Sequence, residues 1–404
     1  MARNMKDSGI EWIGEIPEGW EVVPVKRLCT MQAGKNLTSE QIAPEGTYPV
    51  YGGNGIRGFF SDYNCDGQFL TVGRQGALCG NVHKINGKVW ATEHAVITTP
   101  SSYTSLDFLY YLLIGMDLNQ YVSSTAAQPG LAVGTLLNLK TCYPCSTLEQ
   151  TRISNYLNAK CSEIDVMLSK TRSSIEEYKK LKQAVITQAV TKGVRGEREM
   201  KDSGVEWIGT YPSNWKIIKI KWLLHERKDR SVTGLEEPLS MSQKKGLIPT
   251  KDMDSIPNMA SSFIGAKLVY KGDLVFNKLK AHLGVFSVSK YNGLVSPDYA
   301  VYYSTGPANL NFLELLFKTP QYINEFKKKS SGVGAGLTRL YTGDLYSIYC
   351  ALPPLVEQEK IADYLDIKCA EIDKLIAKKE QLVKELESYK KSLIYEVVTG
   401  KREV

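Results

Sequence analysis

EQTRISNYLNAKCSEIDVMLSKTRSSIEEYKKLKQAVITQAVT, residues 149–191, returns as EQEKIADYLDIKCAEIDKLIAKKEQLVKELESYKKSLIYEVVT at residues 357–399. Asp373 follows Asp165 by 208 residues, and Ile361 and Thr399 follow Ile153 and Thr191 at the same offset, with no insertion or deletion. The periodicity is that of a coiled coil. In the second copy Leu365, Ile372, Lys379, Leu386 and Leu393 form one heptad column, and Ile361, Lys368, Leu375, Leu382 and Tyr389 a second. The first copy keeps the register, with Leu157, Ile164, Thr171, Tyr178 and Val185 against Ile153, Lys160, Met167, Ser174 and Leu181. Neither stretch holds a proline or an interior glycine, and Gly193 and Gly400 stand just past the ends, where helix C-termini favour them. Two long helices are therefore expected, each of roughly 60 Å over about forty residues. Lys160 and Lys368 interrupt the seam at matching heights; such residues either fix register or let long stems reach solvent from a wide helix face.

A second repeat frames the first. Met5-Lys-Asp-Ser-Gly-Ile-Glu-Trp-Ile-Gly14 returns as Met200-Lys-Asp-Ser-Gly-Val-Glu-Trp-Ile-Gly209, with Trp20 and Trp215 closing the two segments. A whole module is thus duplicated: opening motif, variable body, long helix. Trp12 with Trp20, and Trp207 with Trp215, read as packing anchors rather than base-stacking platforms, because Pro17 and Pro212 place them in turns.

The bodies differ in sequence but share a plan. The first, residues 21–147, is rich in turns around Tyr51-Gly-Gly-Asn-Gly-Ile-Arg57-Gly. Short strands are expected at Gln68–Val72, Asn81–Ile85, Lys88–Ala91 and Ala95–Thr98. Ser105 then caps an apolar helix over Leu106–Met116, and a polar loop, Ser123–Gly130, leads back to the long helix. The second, residues 216–353, reads as strand, turn and strand over Lys267–Lys278. Helices follow at Leu310–Lys318 and Gln321–Lys329, then the loop Gly332-Val-Gly-Ala-Gly336.

Composition narrows the function classes. The chain of 404 residues carries a net charge of +7, compatible with a polyanionic partner without requiring one. No apolar run reaches 18 residues and the N-terminus lacks a signal-peptide core, so a cytoplasmic protein is expected. Eight scattered cysteines fit a reducing compartment; the lone Cys142-Tyr-Pro-Cys145 has no second pair at zinc-ribbon spacing. There is no phosphate loop of the G-x-x-x-x-G-K-[ST] type and no Asn-Pro-Pro-aromatic tetrapeptide. Gly332–Gly336 lacks dinucleotide-site spacing, and the four histidines sit in no ligand or triad pattern. No metal, cofactor or catalytic residues are expected in this chain.

Nucleic-acid recognition is the chemistry the sequence does offer. Planar bidentate side chains on glycine-bounded turns read base edges, while lysines hold phosphates. The first body presents Asn54, Arg57, Arg74, Gln75 and Gln128; the second presents Gln243, Asn277, Lys278, Lys280, His282 and Arg339, with Lys328 in a basic run suited to the backbone. A coiled-coil scaffold or adaptor without DNA specificity is the alternative; it accounts for the helices but not for two elaborate glycine-loop bodies.

Several motifs resemble one family. The opening Asp-Ser-Gly-Ile-Glu-Trp-Ile-Gly, Tyr48-Pro-Val-Tyr-Gly-Gly-Asn-Gly, Gly73-Arg-Gln-Gly76, Trp90-Ala-Thr-Glu-His94, Gly272-Asp-Leu-Val-Phe-Asn-Lys278, Ser296-Pro297 and the boundary Leu352-Pro-Pro-Leu-x-Glu-Gln-x-Lys-Ile-Ala resemble the DNA specificity subunit of type I restriction-modification enzymes. The resemblance implies an α+β chain in which two target recognition domains, each a turn-rich sheet with helices, alternate with two long antiparallel coiled-coil helices in an internal pseudo-twofold repeat. The boundaries would be 1–147, 148–193, 194–354 and 355–404. Each target recognition domain would read one half of a bipartite site in double-stranded DNA. The helices would set the gap and dock two modification subunits, with restriction subunits completing the complex. The specificity subunit would be non-catalytic; S-adenosylmethionine, ATP and magnesium would serve adenine methylation and DNA cleavage in the partner subunits. The first boundary departs from the pattern: Tyr143-Pro-Cys-Ser-Thr-Leu-Glu-Gln150 lacks the proline pair, so that join is expected to differ locally.

Overall fold

The fold is that of a computed structural model describing residues 3–76, 79–122, 130–194, 196–242, 245–255, 262–304, 306–332 and 338–404. It is mixed α and β. The chain divides into two compact units, Met1–Ser173 with Lys379–Val404, and Ser174–Lys378. Each holds one body and a stretch of both long helices, which run from Thr147 to Lys192 and from Leu355 to Val398.

In the first unit, a four-stranded antiparallel sheet has the order Cys29–Ala33, Ala95–Pro100, Gln68–Gly73, Val82–Asn86. Gln68–Gly73 is buried at every residue after the first, as a central strand covered on both faces must be. Leu70, Val72 and Val96 share a core with Phe108, Leu109, Leu112 and Leu113 of the helix Leu106–Gly115, while Phe69, Ile85 and Val89 form a smaller cluster. Ser105 caps that helix by accepting from the Phe108 amide. A hairpin of Tyr48–Gly52 and Gly55–Phe60, joined by Trp90–Ala91, makes a second, three-stranded sheet.

The second unit repeats the four-strand order with different residues: His225–Glu226, Tyr299–Tyr303, Leu274–Asn277, Phe286–Val288, again antiparallel. Its core is aromatic. Phe276 stacks on Phe286 with centroids 4.4 Å apart, and Phe317 and Phe326, from the helices Leu310–Phe317 and Pro320–Lys329, meet Phe276 edge-on. Trp20 and Trp215 are buried in the cores of their units, in keeping with packing anchors.

One glutamine ties each body to the start of a long helix. Gln150 accepts from the Ser105 amide at 2.8 Å and donates to the carbonyls of Tyr103 and Pro144. Gln358 accepts from the Asn309 amide at 2.8 Å and donates to the carbonyls of Pro307 and Pro353. Both are 0% exposed. The join differs by one residue: Gln150 reaches back six positions, Gln358 only five, as the missing proline pair leads one to expect. Arg3 pairs with Glu149, and Arg198 pairs with Glu357 at 2.7 Å in the matching place.

Within the first unit the two helical stretches run in opposite directions, since Asp165 bonds Lys390 at 2.7 Å while Arg172 bonds Glu387 at 2.5 Å. Within the second, Lys182 bonds Asp373 at 2.6 Å, and Ala189 and Val190 share a core with Ile361 and Leu365. Asp165–Lys390 and Asp373–Lys182 are the same pair under the 208-residue repeat. Exposed ion pairs add little stability, so their value here is geometric.

The seam corrects half of the heptad reading. Leu157, Ile164, Thr171, Leu365, Ile372 and Leu393 are buried as expected. The other column is buried at its first positions, Ile153 and Ile361, and exposed further along: Met167 is 52% exposed and Leu375 42%, with Leu181, Leu382 and Tyr389 also exposed. Cys161, Leu168 and Ile175 are buried instead, one residue further on. Lys160 and Lys368 reach solvent and pair with Glu163 and Glu371 of their own helices at 2.8 Å. The second copy carries apolar residues in both candidate columns, such as Leu375 beside Ile376 and Leu382 beside Val383. Periodicity along one helix therefore permits two registers, and packing selects one.

Candidate nucleic-acid interface

Both four-stranded sheets end their central strand at the same kind of backbone junction. In the first unit, Arg74 follows Gln68–Gly73; its amide donates to the His94 carbonyl at 3.0 Å, and its carbonyl accepts from the Leu131 amide at 2.8 Å. In the second, Lys278 follows Leu274–Asn277; its amide donates to the Asp298 carbonyl at 3.3 Å, and its carbonyl accepts from the Leu340 amide at 3.0 Å. Three distant chain segments are thus pinned at one residue in each body. Rigid placement of this kind is what a polar reading group needs.

The first junction gathers four of the five expected residues. The tip of the Tyr48–Phe60 hairpin lies against it so closely that a Cβ on Gly73 would stand 1.8 Å from the Gly53 carbonyl oxygen. Only glycine fits there. Asn54, at the hairpin tip, accepts from the Asn81 side chain at 2.8 Å, and the Arg57 side chain folds across Gly52. Gln75 forms a bridge with Gly130. Gln128 lies outside the described residues.

Sequence reasoning passed over three neighbours. His94 Nε2 stands 3.1 Å from Glu93 Oε1, and the His83 ring sits beneath Gly55. Burial lowers the His83 pKa, which favours the neutral ring. Arg74 Nε, His83 Nε2, Glu93 Oε2 and His94 Nδ1 are all buried without a hydrogen-bond partner among the described residues. Unpaired buried polar atoms are costly, so four on one small surface mark a place where a polar ligand would repay the loss. Trp90-Ala-Thr-Glu-His94 carried the signal, since it sets three polar residues, Thr92, Glu93 and His94, directly after a short strand.

The second junction treats its residues differently. The Lys278 side chain is only 17% exposed and its ammonium lies 3.8 Å from Glu226, which also accepts from Thr342 at 2.7 Å. Burial alone would raise the Glu226 pKa, but the Thr342 hydrogen bond and the charges of Lys278 and Lys267 outweigh it and hold the carboxyl below its usual range. Lys278 is thus engaged within the unit. Asn277 accepts from the Leu279 amide at 3.1 Å, capping its own turn. Arg339 donates from Nη2 to Asp298 Oδ1 at 2.6 Å. Beside them opens a cavity of about 480 Å³ lined by Leu239, Phe263, Asn277, Asp298 and Tyr299, so this end of the sheet faces open space.

Lys280 is exposed and precedes the short helical turn Ala281–Leu283, where His282 is half-buried with Nδ1 unpartnered among the described residues. The helix Pro320–Lys329 lies alongside, its Ile323 within reach of Gly284. Lys328 is 61% exposed, 3.8 Å from Glu325. Gln243 falls outside the described residues.

Comparison with known proteins bears on this geometry. Residues 17–177 match the type I restriction modification DNA specificity domain. The chain is 45% identical over 121 residues to the EcoprrI specificity subunit of Escherichia coli, a stretch covering 29% of this chain and 30% of that protein. It is 21% identical over 374 residues to the EcoDI specificity subunit of Escherichia coli, covering 86% of this chain and 81% of the relative. It is 24% identical over 422 residues to the putative MjaX specificity subunit of Methanocaldococcus jannaschii, covering 96% and 95%. Among solved structures, a chain from a study of complex assembly and conformational transition of the type I R-M system superposes with a TM-score of 0.68 at 14% identity, covering 96% of this chain and 99% of that one. The HsdS subunit from Thermoanaerobacter tengcongensis gives 0.50 at 15% identity, covering 98% and 100%. At such identities the structural likeness speaks for the fold. Sequence matches of part of the chain at high identity and of nearly all of it at low identity point the same way: the chain is similar to type I restriction enzyme specificity subunits, and residues 17–177 match their DNA specificity domain.

Proposed function

We propose that this chain reads DNA sequence for a type I restriction-modification complex. Each body, over 1–147 and 194–354, takes one half of a bipartite double-stranded site. The long helices, over 148–193 and 355–404, form an antiparallel coiled-coil spacer that sets the gap and docks two modification subunits. Methyl transfer from S-adenosylmethionine and ATP-driven cleavage belong to the modification and restriction subunits; this chain contributes recognition and no catalytic step. The carrying observation is that two bodies of different sequence share one strand order and end their central strands at matching junctions with different polar groups. That is how two reading heads of different specificity would be built on one frame. The exposed column of Met167, Leu181, Leu375, Leu382 and Tyr389 supports a protein partner along the helices, because apolar rows of that extent usually meet one. No helix among the described residues is long and apolar enough to cross a membrane, and a cytoplasmic location suits the role.

The test compares two substitutions in the complex with its modification subunits. Arg74→Ala is expected to cost about 1–3 kcal/mol at one base pair and relax specificity in one half of the site alone. Lys328→Ala should weaken binding evenly across sequences and flatten its salt dependence. Binding to a duplex panel substituted base by base reads both. An even loss from Arg74→Ala would remove it from the readers, and a wild-type complex indifferent to sequence would favour the scaffold alternative.

A further inference from the structure

We infer that Asp298 is a positioning residue that aims Arg339 at a guanine, making the junction around Lys278 the base-reading centre of the second unit. This rests on the proposed DNA-reading role and names the residue pair that performs it. Three segments meet at Lys278: the end of the central strand, the turn bearing Asp298, and the strand Thr338–Arg339 that leads to Leu340. Asp298 and Leu340 bond opposite sides of the same residue, so Arg339, next to Leu340, is held in fixed relation to Asp298 before any ligand arrives.

The charges at this junction are already divided. Glu226 takes the Lys278 ammonium, leaving Arg339 as the planar donor there. Asp298 Oδ1 accepts from Arg339 Nη2 at 2.6 Å, which fixes the guanidinium plane, while Arg339 Nε is buried with no partner among the described residues. A guanidinium carries five N–H donors in a rigid fork, and one carboxylate contact leaves an edge for the adjacent O6 and N7 acceptors of guanine. An acidic side chain facing DNA would be repelled by phosphate unless a cation neutralised it, and the Arg339 pairing does so. The first unit shows the same economy with the parts exchanged. Its arginine, Arg74, occupies the central position, glycine stands before Leu131 where Arg339 stands before Leu340, and His94 replaces Asp298. Each junction thus holds an arginine within the three bonded segments, delivered from a different one: Arg74 from the end of the central strand, Arg339 from the segment before Leu340.

The experiment uses the full chain with its modification subunits. Methylated-adenine mapping first gives the wild-type site, and binding to duplexes substituted at each position then gives base preferences. Arg339→Ala should lower discrimination by about 10-fold or more at a single G·C pair in one half-site. Asp298→Asn, which keeps the shape and removes the charge, should lower discrimination at that same pair by a smaller factor. Asp298→Glu should restore part of it, and the other half-site should be unaffected throughout. Arg339→Lys, which keeps the charge but loses the fork, should relax the same position, and melting curves establish that each variant folds. Unchanged base preferences in folded Asp298→Asn would overturn the inference. So would an even, salt-sensitive loss from Arg339→Ala, which would make Arg339 a phosphate contact. A wild-type complex without sequence preference would instead overturn the DNA-reading role itself.

Discussion

Replacing Gln358 with leucine is expected to destabilise the second unit by about 3 kcal/mol, because three backbone groups around a buried side chain lose their partner at once. The side chain is 0% exposed and serves the Asn309 amide and the carbonyls of Pro307 and Pro353. Leucine fills the volume but satisfies none of them. Asn309 is also the cap of the helix Leu310–Phe317, accepting from the Phe312 amide at 3.1 Å, so loosening it frays a helix that supplies Phe312 and Leu313 to the core. Gln150→Leu should cost the first unit a similar amount, since Gln150 serves the Ser105 amide and two carbonyls. Glu359→Ala, an exposed position one residue along, should change stability by no more than about 0.5 kcal/mol. Urea unfolding of the three variants decides the matter. A loss below about 1 kcal/mol for Gln358→Leu would mean that the freed groups find other partners and that the glutamine is no pin.

These glutamines also show what a single sequence conveys. The duplication was legible because a constant offset needs no structure to detect. The strands Gln68–Gly73 and Ala95–Pro100 and the helix Leu106–Gly115 were legible because apolar runs between glycines and a serine cap have few other solutions. The second heptad column was not, since a helix with apolar residues at both three and four positions along fits two seams equally well. Only the partner helix distinguishes Met167 from Leu168. The candidate site divides in the same way. Asn54, Arg57, Arg74 and Gln75 could be nominated together because glycines bracket all of them. Their convergence depends on the Gly53–Gly73 approach, which joins segments twenty residues apart. Lys278 looked equivalent to Arg74 in sequence, and it does take the equivalent backbone position. Its engagement with Glu226, however, is a tertiary pairing across 52 residues that no local pattern announces. Glu93 and Asp298 were passed over for the converse reason: acids are poor prior choices for a DNA-facing surface, and their value appears only beside the basic groups they adjoin.

Shortening both long helices by one heptad should shift the preferred DNA site to a smaller central gap while leaving the two recognised words unchanged. If the bodies engage one face of B-DNA from a rigid spacer, their half-sites lie about one helical turn, near 34 Å, apart. Removing seven residues shortens a helix by roughly 10 Å, equivalent to about three base pairs. Deleting Met167–Ser173 from the first helix and Leu375–Gln381 from the second removes equivalent residues of the repeat, and seven residues preserve the phase of the buried seam. The deletions spare Asp165, Lys390, Lys182 and Asp373, so both matched ion pairs can re-form and hold the opposed direction of the helices. Arg172–Glu387 is lost, but an exposed pair of that kind is worth less than about 1 kcal/mol. Deleting one heptad alone should instead buckle the longer helix and reduce assembly, which separates a change of length from a change of fold. Methylated-adenine mapping in cells carrying the doubly shortened chain reads the outcome directly. A shorter gap between unchanged words is the expected result. An unchanged gap at full methylation would show that these helices do not set the spacing, and the bodies would then have to be positioned by the subunits that assemble around them.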